Sequence, residues 1–541
     1  MIGLRRRHVG AGLGCLVLSV CLLAGTALGQ VKPQVNPPAN SPVNPPVNPA
    51  VNPAVNPAVN PVPGGTLNVG LPSDCKTMDP IYSVQFTERQ VLYLIFNTLV
   101  RYGPDFSIHP ELAESWKIEE GGKRITFKLR QGVQFHDGTP FDAAAVKWNI
   151  DRRLDPAVAS PQREQLDPVI SAVEVVDPHT VAFLLKAPYA GLLSLLGERP
   201  GFMLSPTAGE KLGKDFGNAP VGTGPFVFKE WVRGSHLVVE RNPNHWEAGK
   251  PYLNRVVFRD ISGAIVGVQR LLTREVDFVA DLSPQDVKQL QARPGITLSP
   301  ITVGRWYALQ WHMFKEPFNN EKLRQAIAHG IDRKRINDIV MDGKGTLSDG
   351  PTPPGLWWFD PQIKSYTYDP EKAKTLLLEA GYSRGVELTL STPQVTAMSQ
   401  INQLAQEQLE AIGVRLKLEP VAQSEWYAKL VRKETNFSPN RWTQRPDPDG
   451  LLYILFHSKG YANTTGYKND RVDALLEEAR RSFDQAERKK LYSEVQAIIA
   501  REIPMLPLFF SVEYAALQES VQGFEWIPDQ IPRFRELWKK N

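Results

Sequence analysis

Residues 220–246 read PVGTGPFVFKEWVRGSHLVVERNPNHW. Gly222 and Gly224 permit backbone angles closed to other residues, and Pro225 fixes the chain at the entry to the next segment. Residues 226–231 and 236–241 are rich in β-branched and aromatic side chains, with the turn signal Arg233-Gly234-Ser235 between them. The stretch is therefore expected to form a β-hairpin, ended by Asn242-Pro243-Asn244. It holds no acid, base and nucleophile set that suggests catalysis, so its local role is structural.

Around this hairpin lies a chain of 541 residues, too long for one hydrophobic core. Hydrophobic content of 42% and charged content of 22% suit a soluble globular protein. The formal charge is +4, and three of those charges, Arg5, Arg6 and Arg7, sit in the first 29 residues. The near-neutral remainder argues against nucleic acid as a partner. The arginines, the apolar run 9–23 and the small residues of Ala27-Leu28-Gly29 have the pattern of a signal peptide, cleaved before Gln30. An uncleaved anchor is the alternative, since 9–29 approaches the roughly 20 residues that span a bilayer. A lipid anchor at Cys21 is disfavoured by the bulk of Val20 before it. Cys15 and Cys21 belong to the signal, so the mature chain keeps Cys75 alone and no internal disulfide. Cys75 reads as a buried, inert thiol.

Residues 30–63 are a Pro/Asn-rich spacer in which VNP recurs from Val43 to Val59 with a four-residue period. Such a segment has too little apolar mass to fold. Extended at about 3.1 Å per residue, it would reach on the order of 100 Å at most. From residue 64 the body alternates strand and helix. Leu67, Val69 and Leu71 mark a strand, 86–99 a helix, 125–129 a strand, and 142–154 a helix capped by Thr139 or Asp142. The alternation continues with strands at 180–185, 255–258, 277–280 and 306–311. Helices are expected at 369–381, 397–412, 471–483 and 484–499, with strands at 386–390 and 414–420 flanking the second of them. The mixture argues for an α/β fold.

The quoted stretch resembles the PxGTGPF…W…G…RNxxYW signature of family 5 extracellular solute-binding proteins, with His245 where the family has tyrosine. Further blocks resemble the same family in order: Met78-Asp79-Pro80, Pro110 to Trp116, Phe135 to Phe141 (FHDGTPF), Pro317 to Arg333, Tyr368 to Tyr382, and Asp447-Pro448-Asp449 with Asn463 and Gly466-Tyr467. Ordered blocks over most of 64–541 are far more specific than one short motif. The resemblance implies a two-lobed type II periplasmic-binding-protein clamshell. Lobe I would take 64–304 with an extra subdomain at about 100–219, lobe II 305–504, and 505–541 would return to lobe I. It also implies a monomeric, exported receptor that passes a small polar solute, such as a peptide or opine, to the permease subunits of an ABC importer. No cofactor or metal is called for, and no catalysis.

The ligand-side candidates implied are Arg445, Trp442, Tyr307, Trp306, Asn463 and Tyr467. Peptide-binding relatives place an aspartate between the tryptophan and DPD; here 443–446 read TQRP, without an acid. Arg445 is a permanent cation suited to carboxylate or phosphate, so an anionic or acyl-capped peptide-like solute is favoured. An ordinary di- or oligopeptide and a nickel chelate are the alternatives, although Pro446 stands where nickel-binding relatives carry tyrosine. A structural pairing of Arg445 with Asp447 or Asp449 is equally open, and core packing is the default for Trp306 and Tyr307. An anchored envelope sensor or scaffold that kept the fold is the reading from another class. The histidines form no HExxH or other close metal pair, and there is no CxxC, GxSxG or GxxxxGK[ST].

Overall fold

The computed structural model describes residues 60–261, 264–302 and 304–540, all within one structural unit. The signal segment and nearly all of the spacer lie outside the described residues. The first lobe is built on a seven-stranded mixed sheet in the order Ile296–Ile301, Glu513–Gln518, Phe278–Val279, Thr66–Leu71, Arg255–Asp260, His236–Arg241 and Phe226–Val232. Thr66–Leu71 runs parallel to both of its neighbours, which requires long crossover connections. One of these contains an antiparallel four-stranded sheet, Ala113–Glu119, Arg124–Leu129, Thr180–Leu185 and Ile170–Asp177, with a core of its own. The second lobe has the antiparallel sheet Thr346–Leu347, Met505–Phe510, Trp306–Trp311 and Phe437–Trp442. Beside it lies a parallel pair, Val386–Pro393 and Val414–Val421, joined through helix Thr396–Glu410. Among the described residues no helix is long and apolar enough to cross a membrane.

Local chemistry sets these elements. Asp142, rather than Thr139, caps helix Ala143–Leu154 by accepting from the Ala145 amide at 2.9 Å. Helix Pro370–Glu379 starts after Asp369, which accepts from the Lys372 amide, and Gly381 follows in the left-handed region at φ 93°. The hairpin Phe226–Val232/His236–Arg241 forms as the residues indicate, turning at Gly234. Gly222 and Gly224 have a different reason to be glycine from the one expected. Neither has a positive φ; a Cβ on either would collide with the carbonyls of Leu94 or Ile95 at the end of helix Phe86–Ile95. His136 ties the FHDG loop to this place. Its Nε2 lies 2.9 Å from the Gly224 carbonyl oxygen, and its backbone amide donates to the Gly222 carbonyl at 2.8 Å. Two of the sequence blocks thus form one joint.

The chain passes between the sheets twice. The Gly304 amide donates to the Ser511 carbonyl and the Ser511 amide to the Arg305 carbonyl, both at 2.9 Å. A Cβ on Gly304 would strike the Ser511 carbonyl. Arg305 anchors the crossing to Asp281 at 2.6 Å and Glu513 at 3.2 Å. Met505–Phe510 pairs with Trp306–Trp311 in the second sheet, and Glu513–Gln518 then pairs with Ile296–Ile301 in the first. All six residues of Met505–Phe510 are buried against the second sheet's core. Cys75 is buried, and burial pushes its thiol far above its ordinary range, so it is inert.

Candidate functional site

One wall of the space between the lobes starts at helix Phe86–Ile95. Glu88 fixes its first turn, accepting from the Ser83 hydroxyl at 2.7 Å and the amides of Val84 and Gln85 at 3.0 and 2.9 Å. The next residue, Arg89, lies 3.4 Å from Glu198. Glu198 precedes the short turn Arg199–Gly201, and Arg199 donates to the carbonyls of Val84 and Gln85 at 3.1 and 3.0 Å. Helix and turn are therefore locked together, with their charged groups side by side.

The facing wall is the loop after strand Phe437–Trp442. Asp447 opens the turn Pro448–Gly450, accepting from the Asp449 amide at 2.9 Å, and both its oxygens take Arg488 Nη2, at 2.7 and 2.9 Å. Asp449 accepts from Arg480 at 3.0 Å and from the Tyr189 hydroxyl of the first lobe at 2.9 Å. Both aspartates serve the turn and its supports. Neither pairs with Arg445, which corrects that structural alternative. The Arg445 stem lies against Gly450, and its Nη1 faces Glu198 Oε1 across the lobes at 3.8 Å. Both of these atoms are buried and carry no hydrogen bond. Burial acts to raise the Glu198 carboxyl, yet Arg89, Arg445, Arg199 and Arg533 together hold it below the ordinary glutamate range. Burial acts most strongly and opposes the Arg445 cation, but Glu198, Tyr461, Tyr102 and Asp529 together keep the guanidinium charged.

Trp442 is half-buried and lines a cavity of about 180 Å³ with Met398, Trp426, Tyr427, Leu430 and Asn440. The indole N–H groups of Trp442 and Trp426 are buried and unbonded. An apolar pocket with a few free donors is a common form of small-molecule site. Tyr427 and Tyr461 are more than half exposed, and Tyr461 is within electrostatic reach of Arg445.

The remaining candidates are placed elsewhere. Trp306 is 1% exposed in the second lobe's core and donates to Ser348 Oγ at 3.0 Å. Tyr307 stacks on Phe509 at 5.1 Å and lines a different cavity, of about 340 Å³, beside the crossings with Arg305 and Arg441. Asn463 donates to the carbonyls of His457 and Tyr467 at 3.0 and 2.7 Å and accepts from the Tyr467 amide at 3.0 Å. Tyr467 is 1% exposed and donates to Glu502 at 2.6 Å. The polar groups of Trp306, Asn463 and Tyr467 are thus engaged inside the second lobe: Asn463 holds the turns of loop 457–467, while Trp306 and Tyr467 bond to Ser348 and Glu502. Sequence reading missed Arg89, Glu198 and Trp426. The signal for Glu198-Arg199 was a charged pair inside the apolar run 192–204.

The family model for bacterial extracellular solute-binding proteins, family 5 (Middle), matches residues 107–463. The chain belongs to this family. The receptor is 31% identical over 474 residues to the glutathione-binding protein GsiB of Escherichia coli K12, a match covering 85% of this chain and 92% of the relative. Among solved structures it resembles the periplasmic binding protein DppA from Helicobacter pylori in complex with the peptide STSA. There the TM-score is 0.78 and the identity 28%, over 89% of this chain and 99% of that one. It also resembles AgaA from A. tumefaciens R10 in complex with agropinic acid, at TM-score 0.76 and 28% identity, over 88% and 99% of the two chains. The receptor accordingly has the type II clamshell fold and the role of an extracytoplasmic solute-binding protein of an ABC importer; family and relatives are binding proteins rather than enzymes.

Proposed function

We propose that this receptor captures a peptide-like solute of net negative charge between its lobes and hands it to the permease subunits of its importer. Residues 64–304 with those after 511 act as the first lobe and 100–219 as its inserted subdomain. Residues 305–510 act as the second lobe. The observation that carries the reading is Arg445: a buried guanidinium nitrogen without a hydrogen bond, at the meeting of the two walls, where no acid of its own loop engages it. A carboxylate there gains charge-assisted hydrogen bonds that an ammonium would forfeit to repulsion. Trp442, three residues before Arg445, and Trp426 line an apolar cavity of the second lobe that would take the solute's apolar part. Closure about the paired crossings encloses the solute, as hinge motion does in binding proteins of this kind. The mature protein works in the periplasm, with the spacer as a tether where the leader is kept as an anchor.

The relatives bind glutathione, a peptide and an opine acid, and glutathione, which has two carboxylates and one ammonium, is the natural first probe. Calorimetric titration of glutathione should show one site per chain, and Arg445→Ala should weaken it by about 1–3 kcal/mol. An affinity unchanged by that substitution contradicts the assignment.

A further inference from the structure

Glu198 sits between guanidinium groups that come from both lobes. Its Oε2 lies 3.4 Å from Arg89 Nη1 and its Oε1 lies 3.8 Å from Arg445 Nη1. The side chains of Glu198, Arg89 and Arg445 are 15%, 6% and 25% exposed, so solvent screens them weakly. The two contacts differ in kind. A separation of 3.8 Å is an ion pair but too long for a hydrogen bond, and Glu198 Oε1 and Arg445 Nη1 are both buried without one. The attraction between the walls is present while the hydrogen-bonding capacity of both partners is unmet. The charges around the carboxylate are also unequal. Arg533 is matched by Asp529 at 2.6 Å, which leaves Arg89, Arg199 and Arg445 against the single carboxylate of Glu198. Further negative charge is welcome there.

We propose that Glu198 is a resident anion: it neutralises Arg445 and Arg89 and draws the lobes together when no solute is bound, and the solute's carboxylate takes its place on Arg445. This rests on the anionic-solute reading above and adds the residue that sets its threshold. Glu198 competes with every anionic solute, so a solute must offer Arg445 the hydrogen bonds that Glu198, held at 3.8 Å, does not make. The alternative role for a carboxylate in this position is to bind a solute's ammonium, and the two roles give opposite signs on substitution.

The test uses the full chain and Glu198→Gln, which removes the charge and keeps the shape. Glutathione should bind the variant more tightly, by about tenfold or more, as relieving a close like-charge contact does. Weaker binding would assign Glu198 to the ammonium and overturn the proposal, as would an unchanged affinity. Small-angle scattering of the solute-free protein decides independently of any solute. Glu198→Gln and Arg445→Ala should each raise the radius of gyration, and the double variant should raise it no further. A solute-free radius unmoved by Glu198→Gln overturns the resident role. Wild-type protein that ignores glutathione would count against the solute reading and leave the scattering result to judge Glu198.

Discussion

Tyr467 and Arg445 differ in how fully their polar groups are engaged: the Tyr467 hydroxyl is bonded, while Arg445 Nη1 is buried without a hydrogen bond. The Tyr467 phenol is buried and bonded to Glu502, and its ring packs edge-on against Phe456. Tyr467→Phe should cost about 1.5–3 kcal/mol of stability, the net worth of one hydrogen bond to a charged group, and leave glutathione affinity unchanged. Chemical denaturation and calorimetry on the same variant check both halves. Arg445 should show the reverse pattern, with affinity falling and stability little changed. Sequence alone made the two look alike as candidates, since Tyr467 stands in the family's late motif and Arg445 just before its DPD. Partners decide between them, and the partners lie far away along the chain: Glu502 for Tyr467, Glu198 for Arg445.

At the scale of elements, the joint between the FHDG loop and the hairpin's leading loop is the best test of how the inserted subdomain is attached. His136 is held neutral there, pushed down to about 4 chiefly by burial. An unfolded histidine titrates near 6.5. Between those values the unfolded chain binds a proton that the folded chain refuses, so stability rises with pH across the window and is lost as pH falls from about 6.5 to about 4. The loss from this residue is at most about 3 kcal/mol. His245, also pushed down to about 4 by burial and by Arg535, adds a similar slope. His136→Gln should lower stability at neutral pH and flatten the decline below pH 6.5, seen as a shallower fall in melting temperature. Elements with clear periodicity or aromatic content were legible from sequence: the hairpin, Trp306–Trp311, and helix Pro370–Glu379, although its Asp369 cap was counted as part of the helix. Strand Phe437–Trp442 was not, because Pro439 and Asn440 weaken any strand pattern; the structure accepts them because this strand is at a sheet edge. The facing of loop 443–450 and Glu198 was not legible, since the two are about 250 residues apart in the chain and meet only across the lobes.

For the whole molecule, function turns on closure. Besides the Arg445–Glu198 pair, the lobes meet where the Tyr189 hydroxyl donates to Asp449 at 2.9 Å and the Ala190 amide donates to the Arg480 carbonyl at 2.8 Å. Arg480 also lies over the Tyr189 ring at 5.2 Å. Burial raises the Asp449 carboxyl although Arg480 opposes it, so this contact is sensitive to any partner it loses. Tyr189→Phe should weaken closure by about 0.5–1.5 kcal/mol and shorten the residence time of bound solute by a comparable factor, read by stopped-flow release. The central claim is charge selection in the cleft, and native mass spectrometry of the mature protein with equal amounts of glutathione and lysyl-lysine tests it most directly. A one-to-one complex with glutathione whose population Arg445→Ala lowers is the expected result, and preferential capture of lysyl-lysine would contradict it.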